Sequence, residues 1–199
     1  MDLSLVLYAE HEFNASTFTA RVIVSTLSDL HSGVTGAIGA LKGPLHGGAN
    51  EAAMEMLLEI ESPQRAEPFV REAFSTKRKL MGFGHRVYKH GDHRAGILEA
   101  AARGLVESRG LGRFNAVADI VAGIMVNEKH IHPNLDWPAA RAYYAMGLPI
   151  DAYTPIFVAS RVTGWCALII EQLGDNRLIR PSSAYTGPPP RPVVPIDRR

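Results

Sequence analysis

Four side chains of this 199-residue sequence that could move protons near neutral pH stand where the local chain would aim them. His85 follows Met81-Gly82-Phe83-Gly84, whose two glycines let the backbone turn tightly beside a ligand and show the imidazole from a loop rather than a helix face. His46 sits in a second glycine-rich turn, Leu45-His46-Gly47-Gly48-Ala49-Asn50-Glu51, and His11 stands where another helix begins. Asp136 lies in Pro133-Asn134-Leu135-Asp136-Trp137-Pro138. Two prolines fix its direction, and Leu135 and Trp137 form a partly apolar wall that raises a carboxylate's proton affinity, as a general base requires. A plain helix cap is the simpler reading of the same residue.

Charge around the His85 loop points to an anion. Lys77, Arg78, Lys79, Arg86, Lys89 and Arg94 face Asp92 alone, an excess of five positive charges (6 − 1) suited to a phosphorylated ligand, though a solvated basic coat has the same composition. Arg161 lies in an otherwise apolar run, Ile156-Phe157-Val158-Ala159-Ser160-Arg161-Val162. It needs either an acidic side chain or a ligand carboxylate. Arg94 and Arg180 raise the same question, and several such arginines would suit a ligand with more than one carboxylate. Spacings such as His130-x-His132 match neither His-Glu-x-x-His nor a closed tetrahedral set, so no metal site is expected.

The elements that must hold these residues have the helical period. With 46% apolar and 21% charged residues the chain can bury a core, and a net charge of +1 argues against nucleic acid as a general partner. Cys166 is the sole cysteine, which excludes an intrachain disulfide and fits a reducing cytoplasm. No signal peptide, and no window of membrane-spanning length, is expected. The apolar start reads like the interior of a larger protein. Asn14 caps a helix from Ala15 to about Leu27, and a second runs from about Ser32 to Leu41, its Gly33, Gly36, Ala37, Gly39 and Ala40 giving a thin face for close packing. Gly43-Pro44 ends it. Helices follow over Asn50 to Ile60, Pro68 to Lys79, Arg94 to Ser108, Asn115 to Asn127, Pro138 to Met146 and Ile156 to Leu173. No strand alternation appears, so the fold class is all-α, with a proline-rich extended tail from Gly187 to Arg199.

Taken in order, Glu10-His11-Glu12-x-Asn14-Ala15-Ser16-Thr17, Gly43-Pro44-Leu45-His46-Gly47-Gly48-Ala49-Asn50-Glu51, Gly82-Phe83-Gly84-His85-Arg86-Val87-Tyr88 and Pro133-Asn134-Leu135-Asp136 resemble the successive signatures of the citrate synthase family. Arg161 and Arg180-Pro181 trail in register, and the likeness runs from Leu3 to about Tyr185. Tyr8 to Asn14, Asn134 to Pro138 and the Arg161 helix look most like the 2-methylcitrate synthase branch, especially its actinobacterial members.

The resemblance implies an acyltransferase that joins propionyl-CoA or acetyl-CoA to oxaloacetate, giving 2-methylcitrate or citrate and free CoA, with no permanently bound cofactor. By resemblance Asp136 is the base at the acyl α-carbon, His46 the donor to the enolate oxygen, and His85 the group that polarises the ketone. His11, Arg94 and Arg161 would grip oxaloacetate, Arg180 would reach a partner subunit's site in a homodimer, and Lys79, Leu80, Met81, Gly82 and Phe83 would meet CoA. The implied fold is a helical large domain, incomplete here (residues 1–45 and 152–186), and a small domain (46–151) that closes over substrate, followed by the tail (187–199). Two departures from the family pattern are His93, expected to loosen Arg94, and Arg141, expected to lower the proton affinity of Asp136. The rival reading is a truncated, inactive helical module acting only through dimerisation or a missing N-terminal part; a weaker one is a CoA-binding module indifferent to oxaloacetate.

Overall fold

Short polar side chains start the second and third helices. The computed structural model describes residues 1–43, 45–88 and 90–199; Pro44 and Lys89, from the second glycine turn and the basic run, lie outside the described residues. After α1 (Asp2–Tyr8), the Asn14 side chain accepts from the Thr17 amide at 3.1 Å and opens α2 (Ala15–Val24). Asp29 accepts from the Ser32 amide at 2.9 Å and opens α3 (Leu30–Leu41). Then come α4 (Ala49–Ile60), α5 (Pro63–Thr76), α6 (His93–Ser108), α7 (Arg113–Lys129), α8 (Asp136–Ala145) and α9 (Tyr153–Gly174). The described residues contain no strand, only an isolated bridge between Phe83 and Pro133.

Several boundaries differ from the sequence reading for local reasons. Residues 63–67 join the expected Pro68 helix because Pro63 sits well in a first turn, and the amide that Pro68 lacks would have faced Gln64 on the exposed side. That helix stops at Thr76, where Lys77 turns left-handed at φ 57°, so Lys79 is in a loop. The opening apolar run is itself helical, with Ser4 and Tyr8 buried. Asp136, expected just outside α8, is its first residue; Pro138 then falls in the first turn, where a missing amide costs nothing. α2 ends at Val24, ahead of Leu27 at φ 67°.

The helices pack in two groups. α2, α3 and α9 pack on one another and α1 on α9, while α4 packs on α8, α5 on α7 and α6 on α8; contacts of α4 with α9 and of α1 with α6 join the groups. α3 has the thin face its glycines suggested. A Cβ at Gly36 would lie 2.1 Å from Ile23 Cδ1, and one at Gly33 would lie 2.8 Å from Val24 Cγ1. The expectation that no window reaches membrane-spanning length is overturned: Ile150–Gly174 is long and apolar enough by length and composition, with mean hydropathy 1.3. In the fold one face of this stretch is buried, through Tyr153, Phe157, Ser160, Arg161, Gly164, Trp165 and Ile169.

At Gly164 the backbone of the α1–α2 connection comes closest to α9, for a Cβ there would sit 2.2 Å from the Ala9 carbonyl oxygen. Gly164→Ala is therefore expected to lower unfolding free energy by about 1–3 kcal/mol, read by urea denaturation. Gly39→Ala in α3, which would meet nothing within 4 Å, is expected to raise it by roughly 0.5–1 kcal/mol.

Candidate active site

Where the two helix groups meet, a cleft of about 890 Å³ opens, and His46, His85 and Asp136 all line it. So do His11, Arg94, Arg161 and the loop residues Lys79, Leu80, Met81, Gly82 and Phe83. Arg180 is exposed and lies outside the lining. Among the described residues no group of three His, Cys, Asp or Glu is placed to hold a metal ion.

The loop before His85 and the turn before Asp136 are stitched together. Gly84 N–H donates to the His132 carbonyl at 2.8 Å, and Asn134 N–H to the Gly82 carbonyl at 2.9 Å. Gly82, at φ +84°, lies against Trp137 so closely that a Cβ would be 2.8 Å from its Cε3. Phe83 packs on the same indole with ring centroids 4.6 Å apart.

Each proton-moving group has a defined state. Asp136 Oδ1 accepts from the Tyr8 hydroxyl at 2.6 Å. Burial raises its carboxyl to about 6, against the lowering pull of the Tyr8 bond and of Arg94. His46 Nε2 faces the Ser16 amide at 3.3 Å and the Ser16 hydroxyl at 2.8 Å. A backbone amide can only donate, so Nε2 is the acceptor and Nδ1 carries the proton. Burial, then Arg161 and His11, push His46 down to about 4, leaving it a neutral donor. That the amide belongs to the first turn of α2 works in the same direction. His85 Nδ1 accepts from the Val87 and Tyr88 amides at 3.1 and 3.2 Å, so Nε2 bears the outward-facing proton. Burial, with Arg94 adding to it and Asp92 opposing it, lowers His85 below its ordinary value.

The cationic side of the cleft leaves buried polar atoms without partners among the described residues. Arg161 is 2% exposed, its Nε donates to the Tyr8 carbonyl at 2.5 Å, and its Nη1 has no partner among the described residues. Burial, then Arg94, push it down to about 10, so it stays charged. Among the described residues, no salt bridge of the kind that would have explained it is formed. His11 Nε2 is likewise buried without a partner among the described residues, and its ring stands edge-on to His85 at 4.9 Å. Arg94 grips Asp92 with two bonds, Nε to Oδ1 at 3.0 Å and Nη2 to Oδ2 at 2.9 Å.

This arrangement has counterparts. Residues 1–182 match the model described as "Citrate synthase, C-terminal domain". The chain belongs to the citrate synthase family. It is 52% identical to "Citrate synthase 2" of Bacillus subtilis over 98% of this chain and 53% of that protein. It is also 52% identical to "2-methylcitrate synthase 1" of Corynebacterium glutamicum, over 98% of this chain and 51% of that one. Among solved structures, the ternary complex of carboxymethyl coenzyme A and oxaloacetate with citrate synthase from Thermoplasma acidophilum superposes with a TM-score of 0.89 at 44% identity, over 98% of this chain and 54% of that chain. The chain thus spans about half the length of the curated relatives it matches.

Two departures from the citrate synthase pattern behave differently from expectation. Arg141 turns away from Asp136: its Nη1 donates to Asn115 Oδ1 at 2.8 Å and its Nη2 bonds Glu99 at 2.5 Å. His93 does not leave Arg94 loose, because Asp92 caps α6 by accepting from the Arg94 amide at 3.0 Å and holds the guanidinium as well. Of the basic run, Arg78 is paired with Glu59 and Arg94 with Asp92, while Lys77 and Lys79 remain exposed on the cleft's rim. The sequence reading missed Tyr8, Ser16, Asp92 and Asn134. Asp92 carried a signal, as an acid directly before a helix; Tyr8 carried none until the fold set it beside Asp136.

Removing the Tyr8 hydroxyl takes away a bond that favours ionised Asp136. Its carboxyl, identified by difference against Asp136→Asn in an NMR titration, is expected near pH 6 in the parent. It is expected to move upward in Tyr8→Phe; a downward move would mean that Tyr8 does not stabilise the carboxylate.

Proposed function

We propose that this chain carries the condensing chemistry of an acyl-CoA:oxaloacetate acyltransferase, taking propionyl-CoA or acetyl-CoA to 2-methylcitrate or citrate and free CoA. The observation that carries the reading is the coexistence, in one cleft, of a carboxyl raised to about 6, an imidazole held neutral at about 4 and two guanidiniums. An acyl thioester is a weak carbon acid. Its α-proton needs a base and its carbonyl oxygen a donor at the same moment. Asp136 takes the α-proton while His46 Nδ1–H bonds the oxygen that becomes the enol. His85 Nε2–H polarises the oxaloacetate ketone, the α-carbon attacks it, and the new alkoxide receives the proton. Water then cleaves the thioester, releasing CoA and a tricarboxylate.

Arg94, Arg161 and His11 supply donors for the two carboxylates of oxaloacetate, and the partnerless Nη1 of Arg161 and Nε2 of His11 support that role. Arg180 is assigned to the partner subunit's site in a homodimer. The rim lysines and the loop from Lys79 to Phe83 are assigned to CoA, and no cofactor is permanently bound. The grouping of α4 to α8 apart from the other helices supports a small domain over 46–151 that closes on the substrates and expels water. One methylene separates the two acyl groups, worth about 1–3 kcal/mol, so preference is a matter for assay.

Thiol release from propionyl-CoA and from acetyl-CoA is expected to require oxaloacetate; release without it overturns condensation, and none from either overturns activity in this chain. Asp136→Asn is expected to cut turnover by about 10²–10⁴-fold while calorimetry shows oxaloacetate binding nearly intact. Arg161→Ala is expected to do the reverse of the latter, weakening oxaloacetate binding by about 10- to 100-fold.

A further inference from the structure

We propose that Asn134 is a positioning residue that clamps the His85 loop and the Asp136 turn into one unit, a role that rests on the condensing reaction proposed above. All of its polar groups are engaged. Its Oδ1 accepts from the Asp136 amide at 3.0 Å, and its Nδ2 donates to the Gly84 carbonyl at 2.9 Å. Its backbone amide donates to the Gly82 carbonyl at 2.9 Å, and its carbonyl accepts from the Trp137 amide at 3.2 Å.

The geometry of that carboxamide is forced. Turning it over would set NH₂ against the Asp136 amide and oxygen against the Gly84 carbonyl, two repulsive contacts in place of two bonds. One side chain therefore bonds the peptide groups adjoining both His85 and Asp136. These residues are 51 positions apart (136 − 85), and neither lies on a helix face shared with the other. Asp92 adds a weaker tie, its Oδ2 accepting from the Leu135 amide at 3.3 Å. The remaining bond between the two segments, Gly84 N–H to the His132 carbonyl, is backbone only and sets no angle for either side chain. Carbon–carbon bond formation between two bound substrates needs His85 on one and Asp136 on the other at a fixed separation, and a misplacement of about 1 Å costs on the order of 10²-fold in rate.

Asn134→Asp separates clamping from folding. The carboxylate keeps the size, still accepts from the Asp136 amide and favours the N-terminus of α8, but it cannot donate to Gly84 and repels that carbonyl. Amide hydrogen exchange on the full chain is expected to show the Gly84 amide losing protection by tenfold or more, with α8 amides such as Ala139 unchanged. Unchanged protection at Gly84 overturns the clamp. In thiol release, Asn134→Asp is expected to lower kcat by about 10²-fold with little change in the oxaloacetate KM. In a His85→Ala background it is expected to cost under about threefold, because a clamp acting through His85 has nothing left to place. Equal losses in both backgrounds would mean a merely structural role and overturn the proposal. If the unsubstituted chain releases no thiol, the condensing reading fails and the exchange measurement alone decides the clamp.

Discussion

The pairing of residues 82–84 with 132–134 is the constraint on which the cleft depends. Both segments leave helices, so their amides and carbonyls lack the i to i−4 partners that α5, α7 and α8 supply, and buried backbone groups must find partners elsewhere. They find them in each other: Gly84 with His132, Asn134 with Gly82, and an isolated bridge at Phe83 and Pro133 in an otherwise helical chain. Close approach needs a residue with no Cβ against Trp137, which Gly82 provides at φ +84°. The same stitch that satisfies the backbone therefore brings a loop histidine and a helix-terminal aspartate to one wall.

A single physical cause then pushes the groups on that wall in opposite directions. Burial disfavours whichever form is charged, so it raises the Asp136 carboxyl to about 6 and lowers the His46 imidazole to about 4 and the Arg161 guanidinium to about 10. The result is a carboxyl close to the range where it can take and hold a proton, in the same cleft as a neutral imidazole. Arg161 tolerates its position because Tyr8 offers a carbonyl to Nε, and Tyr8 in turn gives its hydroxyl to Asp136. Backbone and side chain of one residue thus link Arg161 to Asp136.

Much of the site could be read from residue types because its chemistry is local in character. Glycines around His85 and His46, prolines around Asp136 and an arginine inside an apolar helix are each unfavourable choices for a structure with no ligand, and they announced themselves. The all-helical class was equally plain, since the apolar period ran through nearly every long segment. Boundaries were less so. Pro63 could end one helix and open another, and α5 runs from it straight through the amphipathic stretch read from Pro68, while α8 starts at Asp136 rather than Pro138. The length and apolarity of Ile150–Gly174 were underestimated, its meaning set by what packs around it.

By itself the sequence determined helical periods, the cap at Asn14, the two glycine loops and the family signatures, all of which are patterns among near neighbours. The fold alone decided which donor meets which acceptor. Tyr8 reaches Asp136 across 128 positions, and Ser16 reaches His46 across 30. The guanidinium of Arg141 was sent to Glu99, away from the Asp136 carboxyl its sequence position seemed to threaten. Proton affinity in a cleft depends on such distant partners and on the water they exclude, and neither is written in the order of residues along a chain.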